Sequence, residues 1–267
     1  TVIGYELSLP KLIVAEGSLS LDDLIGTRLT ETQRVGKYLL LIFDSLSAVV
    51  HLKLSGQLIA RGSDIPGFAA GHPVPAYDAL MPHKSTHLRL DFEGDAHLYL
   101  TDIRHFAHVW LMPHEAVPAY LQSIKLGADL LSPEFTASYL AERLKRRSAS
   151  KIKPALLDQS VIAGVGNIYA DESLWQAKLH PEQLAGSLRP AEIKRLYQGI
   201  VTAIELALPT GGARILNTKA QPDVGEFPFV HGREGLPCPR CGTTIIKTRV
   251  NNRGTYLCPK CQRLPKA

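Results

Sequence analysis

Cysteine is scarce in this chain and confined to one place. There are four, all after position 237, so nothing upstream can be cross-linked by disulfides. Long apolar runs are missing too: no stretch approaches the ~18 residues that a membrane-spanning helix needs. No basic, apolar, small-residue leader opens the sequence. These absences describe a soluble, intracellular chain that buries an ordinary globular core. Internal repeats and low-complexity tracts are lacking, which excludes solenoids and disordered linkers as the main architecture. The first residue is not methionine; Thr1 to Leu7 already reads as a strand, with Ile3, Tyr5, Leu7 and Leu9 on one face.

The cysteines themselves form two pairs, Cys238-Pro239-Arg240-Cys241 and Cys258-Pro259-Lys260-Cys261, with sixteen residues between them. A two-residue gap lets both thiolates of a pair reach one ion, and two pairs complete the tetrahedral four-sulfur shell that suits zinc. Such a metal is structural, because four thiolates leave no position open for water. Two disulfides are the alternative, disfavoured by the spacing and by an intracellular chain. The intervening residues read as a hairpin: Thr243 to Thr248 outward, Asn251-Asn252-Arg253-Gly254 turning, Thr255-Tyr256-Leu257 returning.

Lys and Arg number 30 against 25 Asp and Glu, a net charge of +5. The excess is clustered, at Lys145-Arg146-Arg147, Lys151 and Lys153 and again on the hairpin (Arg240, Lys247, Arg249, Arg253, Lys260). Clustered positive charge suits a polyanion. A reader of RNA would be expected to expose aromatics for stacking, and the hairpin offers only Tyr256.

The fold class expected is α+β. Strands are predicted at 37–43, 48–54, 86–92 and 96–100, with a surface loop at 62–83, giving a β-sandwich over 1–113. Period-3.6 patterning follows: a helix opened by Ser132-Pro133-Glu134 and running through Leu140 and Leu144, a shorter one at 168–178, and an amphipathic one from Ile193 to Leu208. These make a helical domain over 114–218, with the four-cysteine finger over 219–267. Between the helices, Gly164-Val165-Gly166-Asn167 makes a tight turn opening a helix, whose backbone N–H groups can surround a phosphate.

Taken in order, Gly36-Lys37-Tyr38-Leu39-Leu40-Leu41, His51-Leu52-Lys53-Leu54-Ser55-Gly56, Asp102-Ile103-Arg104-His105-Phe106, Ile152-Lys153-Pro154, the 164–172 turn, His231 to Cys238 and the final Cys258-Pro259-Lys260-Cys261-Gln262 resemble the formamidopyrimidine-DNA glycosylase and endonuclease VIII family. The resemblance covers nearly the whole chain. It implies a helix–two-turn–helix domain, one structural zinc on Cys238, Cys241, Cys258 and Cys261, and repair of oxidised bases in double-stranded DNA by a monomeric cytoplasmic enzyme at the bacterial nucleoid. The damaged base is swung out of the stack, an amine attacks the sugar, and β- and δ-elimination cut the strand.

Residue by residue, the resemblance makes Lys37 and Arg253 catalytic, Arg253 as the arginine gripping phosphate beside the lesion. It makes Asn167, Lys153 and Arg147 phosphate ligands, and Leu54, Arg104 and Phe106 the residues that fill and wedge the opened stack. His87 matches a DNA-facing neighbour of the family's histidine, whose own place Ser85 takes. Lys53 stands where a glycine is usual, and the short 212–231 interval leaves oxidised pyrimidines and abasic sites open as substrates. The family nucleophile is an N-terminal proline followed by glutamate. The alignment places Thr1 beyond both, at the strand after the first helix, so the expectation is a sequence given without its first segment. A non-catalytic binder of damaged DNA is the alternative. Blander readings accompany the rest: Lys37 as a surface lysine, Leu54 and Phe106 as core, Arg104 as an ion-pair partner of Asp102. A second metal among His51, His87, His97, His105 and His108 lacks a closed ligand set.

Overall fold

The computed structural model describes residues 1–210, 212 and 226–265. It divides into two compact units, Thr1–Ile124 and Lys125–Ala267. The first is built from β1 (Val2–Leu7), β2 (Ile13–Ala15), β3 (Leu29–Val35), β4 (Tyr38–Phe43), β5 (Ser47–His51), β6 (Gly56–Gly62), β7 (Phe68–Gly71), β8 (Thr86–Phe92), β9 (Ala96–Asp102), β10 (His108–Met112) and helix α1 (Ala116–Ser123). Two five-stranded sheets result, in the orders β1-β8-β9-β6-β7 and β2-β10-β5-β4-β3.

Alternating apolar residues of both sheets meet in one core, with Leu58, Leu88, Leu90 and Leu100 from one and Leu41, Phe43, Val50, Val109 and Leu111 from the other. This is the expected sandwich. The layers leave an apolar cavity of about 20 Å³ between them, room for about one water and without polar partners for it. On the outer face of the second sheet, Leu40, Val49, Met112 and Val117 form a smaller buried cluster under α1.

Three local expectations are corrected. In β1 the buried residue is Val2, while Ile3 is 58% exposed; a register shift between Val2 and Gly4 breaks the strict alternation that put Ile3 inward. The 62–83 loop contains strand β7, paired with β6 from Gln57↔Gly71 to Ala60↔Phe68. Its Phe-Ala-Ala-Gly sequence lacks alternation, and it closes against β6 so tightly that a Cβ on Gly71 would lie 2.4 Å from the Gly56 carbonyl. The first helix of the second unit starts later than Ser132-Pro133-Glu134.

That second unit contains α2 (Ala137–Lys145), α3 (Ile152–Leu157), α4 (Asn167–Ala177), α5 (Pro190–Ala207) and the hairpin β11 (Ile246–Val250) with β12 (Arg253–Leu257). Thr136 is the cap of α2, its hydroxyl accepting from Tyr139 N at 3.1 Å. Residues 132–135 form a turn, in which Phe135 N donates to Ser132 O. That turn buries Phe135, 4% exposed, in the helical core. There it joins Leu140, Leu144, Ile152, Leu156, Leu174, Leu196 and Ile200. The helical and finger segments thus lie within one compact unit. Among the described residues no helix is long and apolar enough to cross a membrane.

Candidate nucleic-acid interface

In the sandwich unit the organising group is Asp102, at the end of β9 and fully buried. Its Oδ2 accepts from the backbone N–H of Phe106 at 2.6 Å and Ala107 at 2.7 Å, and Oδ1 from that of Arg104 at 3.0 Å. Ser55 Oγ–H also donates to Oδ1. Burial pushes the Asp102 carboxyl up, but the bonds from Ser55 and from the amides of Ala107, Arg104 and Phe106 outweigh it and hold the carboxyl below its ordinary range. One carboxylate therefore fixes both the 102–107 loop and the turn carrying Leu54. Phe106 and Leu54 are 45% and 51% exposed, not core residues. The Arg104 guanidinium lies over the Phe106 ring, 5.2 Å from its centroid. Asp102 bonds the main chain of Arg104, so the surface ion pair between the two is not the arrangement found.

His87, expected to face DNA, is only 8% exposed. Its Nε2 lies 2.9 Å from the Asp102 carbonyl and its Nδ1 3.2 Å from Ser8 Oγ, so both ring nitrogens have partners inside the sandwich. It packs edge-on against the exposed His105, centroids 4.6 Å apart. Its place is beneath the loop rather than at the surface.

Lys37 is exposed at the start of β4, following Gly36, whose φ of 60° needs no Cβ to be avoided. Close to it on β5 is His51, whose Nδ1 accepts from Lys53 N at 2.8 Å. Burial, with Lys53 and Lys37 nearby, pulls His51 down to about 4, so the ring is neutral near pH 7. Lys53 has φ 54°, the left-handed conformation that favours glycine over a residue with a Cβ.

In the second unit, residues 158–166 form a turn held by side chains. Asp158 Oδ1 accepts from Ser160 N at 2.9 Å, and Gln159 bridges Val165 O at 2.9 Å and Gly164 N at 3.0 Å. At Gly164, φ is 106° and a Cβ would sit 2.4 Å from Leu130, so only glycine fits. The turn delivers Asn167 as the first residue of α4, with no acidic side chain in the helix's first turn. Asn167 Nδ2 donates to Gly254 O across 3.0 Å, and its buried Oδ1 has no partner.

Lys153 closes the same corner. Fully buried, its ammonium donates to Asp171 Oδ1 at 2.7 Å, Gly254 O at 2.8 Å and Thr255 Oγ1 at 2.8 Å. An ammonium has three donors, and these three bonds use them. Lys153 therefore grips the hairpin and has no N–H left for a phosphate. Asp171 also takes His231 Nδ1 at 2.8 Å and Tyr256 N at 3.3 Å. Beside it, the buried Glu172 accepts the N–H groups of Phe229, Val230 and His231, each at 2.8 Å. Burial pushes Glu172 up, but three N–H donors aimed at its oxygens bind the carboxylate form. Asn251 and Asn252, φ 44° and 61°, turn the hairpin, and Arg253 follows, exposed beside Gly254. Arg147 lies apart from this corner, paired with Asp158 Oδ2 at 2.6 Å.

The four cysteine sulfurs lie within 4.8 Å of one another, and those of Cys241 and Cys258 are 3.5 Å apart. A tetrahedral shell with bonds of ~2.3 Å has edges of about 3.8 Å, which these residues fit; sulfurs in a disulfide would be far closer. The two-disulfide alternative therefore fails. Among the described residues this is the single group of three or more candidate ligands close enough together to hold a metal. His97 pairs with Asp91 at 2.6 Å, and His108 bonds Phe106 O at 2.8 Å.

Three of the expected residues, Asn167, Lys153 and Arg253, thus meet around Gly254. Leu54, Arg104, Phe106 and His87 gather around Asp102. Lys37 sits with His51, and Arg147 at the mouth of the turn. Sequence reasoning overlooked Ser55, Asp102, Asp171, Glu172 and Thr255 as site-forming groups. The available signal was acidic residues standing inside otherwise apolar or basic motifs. Of the 212–231 interval on which the substrate expectation rested, residues 213–225 fall outside the described residues.

Three family models match the chain. Residues 5–109 match the formamidopyrimidine-DNA glycosylase N-terminal domain, 126–219 the formamidopyrimidine-DNA glycosylase H2TH domain, and 235–264 the zinc finger found in FPG and IleRS. The chain is 36% identical to the formamidopyrimidine-DNA glycosylase of Pelotomaculum thermopropionicum, over 98% of this chain and 92% of that protein. It is 35% identical to that of Enterococcus faecalis, over 96% and 85%. Among solved structures it is similar to the Lactococcus lactis enzyme in complex with Fapy-dG-containing DNA, with TM-score 0.82 and 32% identity over 98% and 92% of the two chains. The same enzyme with abasic-site DNA gives 0.81 and 31% over the same shares.

Proposed function

The chain belongs to the formamidopyrimidine-DNA glycosylase family, and on that premise we propose that it removes oxidised bases from double-stranded DNA and cuts the strand by β- and δ-elimination. The observation that carries this reading is the convergence of Asn167, Lys153 and Arg253 on Gly254. It sets an exposed arginine beside the open N-terminus of α4, where N–H groups and helix dipole favour a phosphate.

The roles follow from the geometry. Arg253 grips phosphate next to the lesion as a fork of donors. The unit's other phosphate ligand is Asn167 with the first turn of α4, and Arg147 contributes at the mouth of the turn by exchanging Asp158 for phosphate. Lys153 positions Gly254 and Thr255 and through them Arg253. Leu54 and Phe106, held out by Asp102, enter the stack where the damaged nucleotide leaves, and Arg104, lying on Phe106, faces the orphaned base. Lys37 assists strand cleavage, with neutral His51 beside it able to accept a proton as phosphate arrives. Family resemblance assigns the attack on the sugar to the amine of an N-terminal proline.

One zinc ion on Cys238, Cys241, Cys258 and Cys261 holds the hairpin's base. The protein acts as a monomer, in the cytoplasm at the bacterial nucleoid, with functional segments 1–113, 114–218 and 219–267. The test is borohydride trapping of the protein translated from its whole gene on a duplex with an abasic site. A covalent adduct and β,δ-elimination products are expected. Lesion-selective binding with neither would leave a non-catalytic damage binder.

A further inference from the structure

Helix α4 begins at Asn167 and, eight residues on, presents Trp175, about 12 Å along the axis at ~1.5 Å per residue. Trp175 is where this helix meets the cysteine cluster. Its indole Nε1–H donates to Cys238 Sγ across 3.4 Å. The ring is 5% exposed and stacks on Phe229, centroids 5.0 Å apart at 29°. The guanidinium of Arg240 lies 3.9 Å from its centroid. Arg240 belongs to the first Cys-x-x-Cys pair, so the metal knuckle itself sets its position. From there Arg240 Nη1 donates to Trp175 O at 2.8 Å and Nη2 to Gln176 Oε1 at 3.5 Å.

An indole N–H is a donor only, and a buried donor needs a partner; here the partner is a metal-ligand sulfur. Four thiolates around a divalent cation retain an excess of negative charge, and in a buried cluster each donor aimed at a sulfur offsets part of it. We propose that Trp175 is a positioning residue for the metal: its N–H steadies the Cys238 thiolate, and with Arg240 it joins metal loading to the seating of α4. The helix that carries Asn167 is thereby fixed to the finger at both ends, by Trp175 on Cys238 and by Asn167 on Gly254. This inference rests on the zinc reading above.

The experiment is competition for zinc between the full chain and a chromophoric chelator, comparing wild type with Trp175→Phe. Phenylalanine keeps a ring against Phe229 and Arg240 but has no N–H. The variant is expected to hold zinc roughly tenfold more weakly, with unchanged far-ultraviolet circular dichroism. In the cobalt-loaded forms its thiolate-to-metal charge-transfer band should move to lower energy, because the sulfur lone pair has lost a donor. Equal zinc affinity and an unmoved band would overturn the inference alone. A wild type that binds no zinc would overturn the zinc reading and this inference with it. Should Trp175→Phe fail to fold, a Trp110→Phe background leaves one indole in the chain. With cadmium in place of zinc, NMR coupling from that indole proton to the cadmium nucleus is then expected, and its absence overturns the proposal.

Discussion

The side-chain amide of Asn167 donates to the main-chain carbonyl of Gly254 at 3.0 Å, tying the first residue of α4 to the residue after Arg253. Two segments separated by 87 positions are thereby held as one surface. Lys153 bonds the same carbonyl from below.

Replacing Lys153 by methionine leaves Asp171 buried with its cation removed and Gly254 O with one donor fewer. Breaking a buried, hydrogen-bonded pair in this way costs about 3 kcal/mol. Denaturant titration is expected to show that loss. Hydrogen exchange should show the hairpin amides near 253–256 losing protection.

Asp102 provides a pH-dependent signature. Its folded pKa is depressed, so its contribution to stability is complete above the unfolded value of about 4 and is lost as pH falls through the folded one. Asp102→Asn turns acceptor oxygen into an N–H₂ facing amide donors and should destabilise by about 2 kcal/mol at neutral pH. The difference between wild type and variant should shrink below pH 4. Acid and urea unfolding of both proteins measures it.

His51 should titrate near 4 in the free protein, followed by NMR of its ring protons. Because the folded state holds that proton less well than the unfolded chain, stability rises with pH between about 4 and 6.5. His51→Gln should flatten that segment of the pH profile.

Metal removal should loosen the finger before the sandwich. Cys241→Ser, or chelation, is expected to release zinc, lower the protection of residues 238–262 and leave the 2–112 strands protected. Zinc binds the deprotonated thiols, so its affinity should weaken steeply as pH falls. Hydrogen exchange with and without chelator checks the first statement, and zinc competition across pH the second.

Much of this was legible in the residues. The cysteine spacing gave the ligand set, because a chelate's geometry is local in sequence. The 164–167 turn was legible because Gly164 admits no side chain. The sandwich showed through strand alternation, except where a bulge at Val2–Gly4 displaced it. Burial was the unreadable quantity. Lys153 and His87 looked like surface ligands, but tertiary contacts far along the chain, at Asp171, Thr255 and Ser8, enclose them. Conversely Leu54 and Phe106 are apolar residues held outward by a carboxylate that no periodicity reveals.

The most direct measurement is a double-mutant cycle in gel-shift titrations of lesion-containing duplex with wild type, Asn167→Ala, Arg253→Ala and the pair. If the two residues form one phosphate-binding surface, each single change weakens binding about tenfold, or about 1.4 kcal/mol, and the double loses less than the sum. The salt dependence should also flatten by roughly one phosphate contact for Arg253→Ala. Single variants that bind as wild type does, with the same salt dependence, would contradict it.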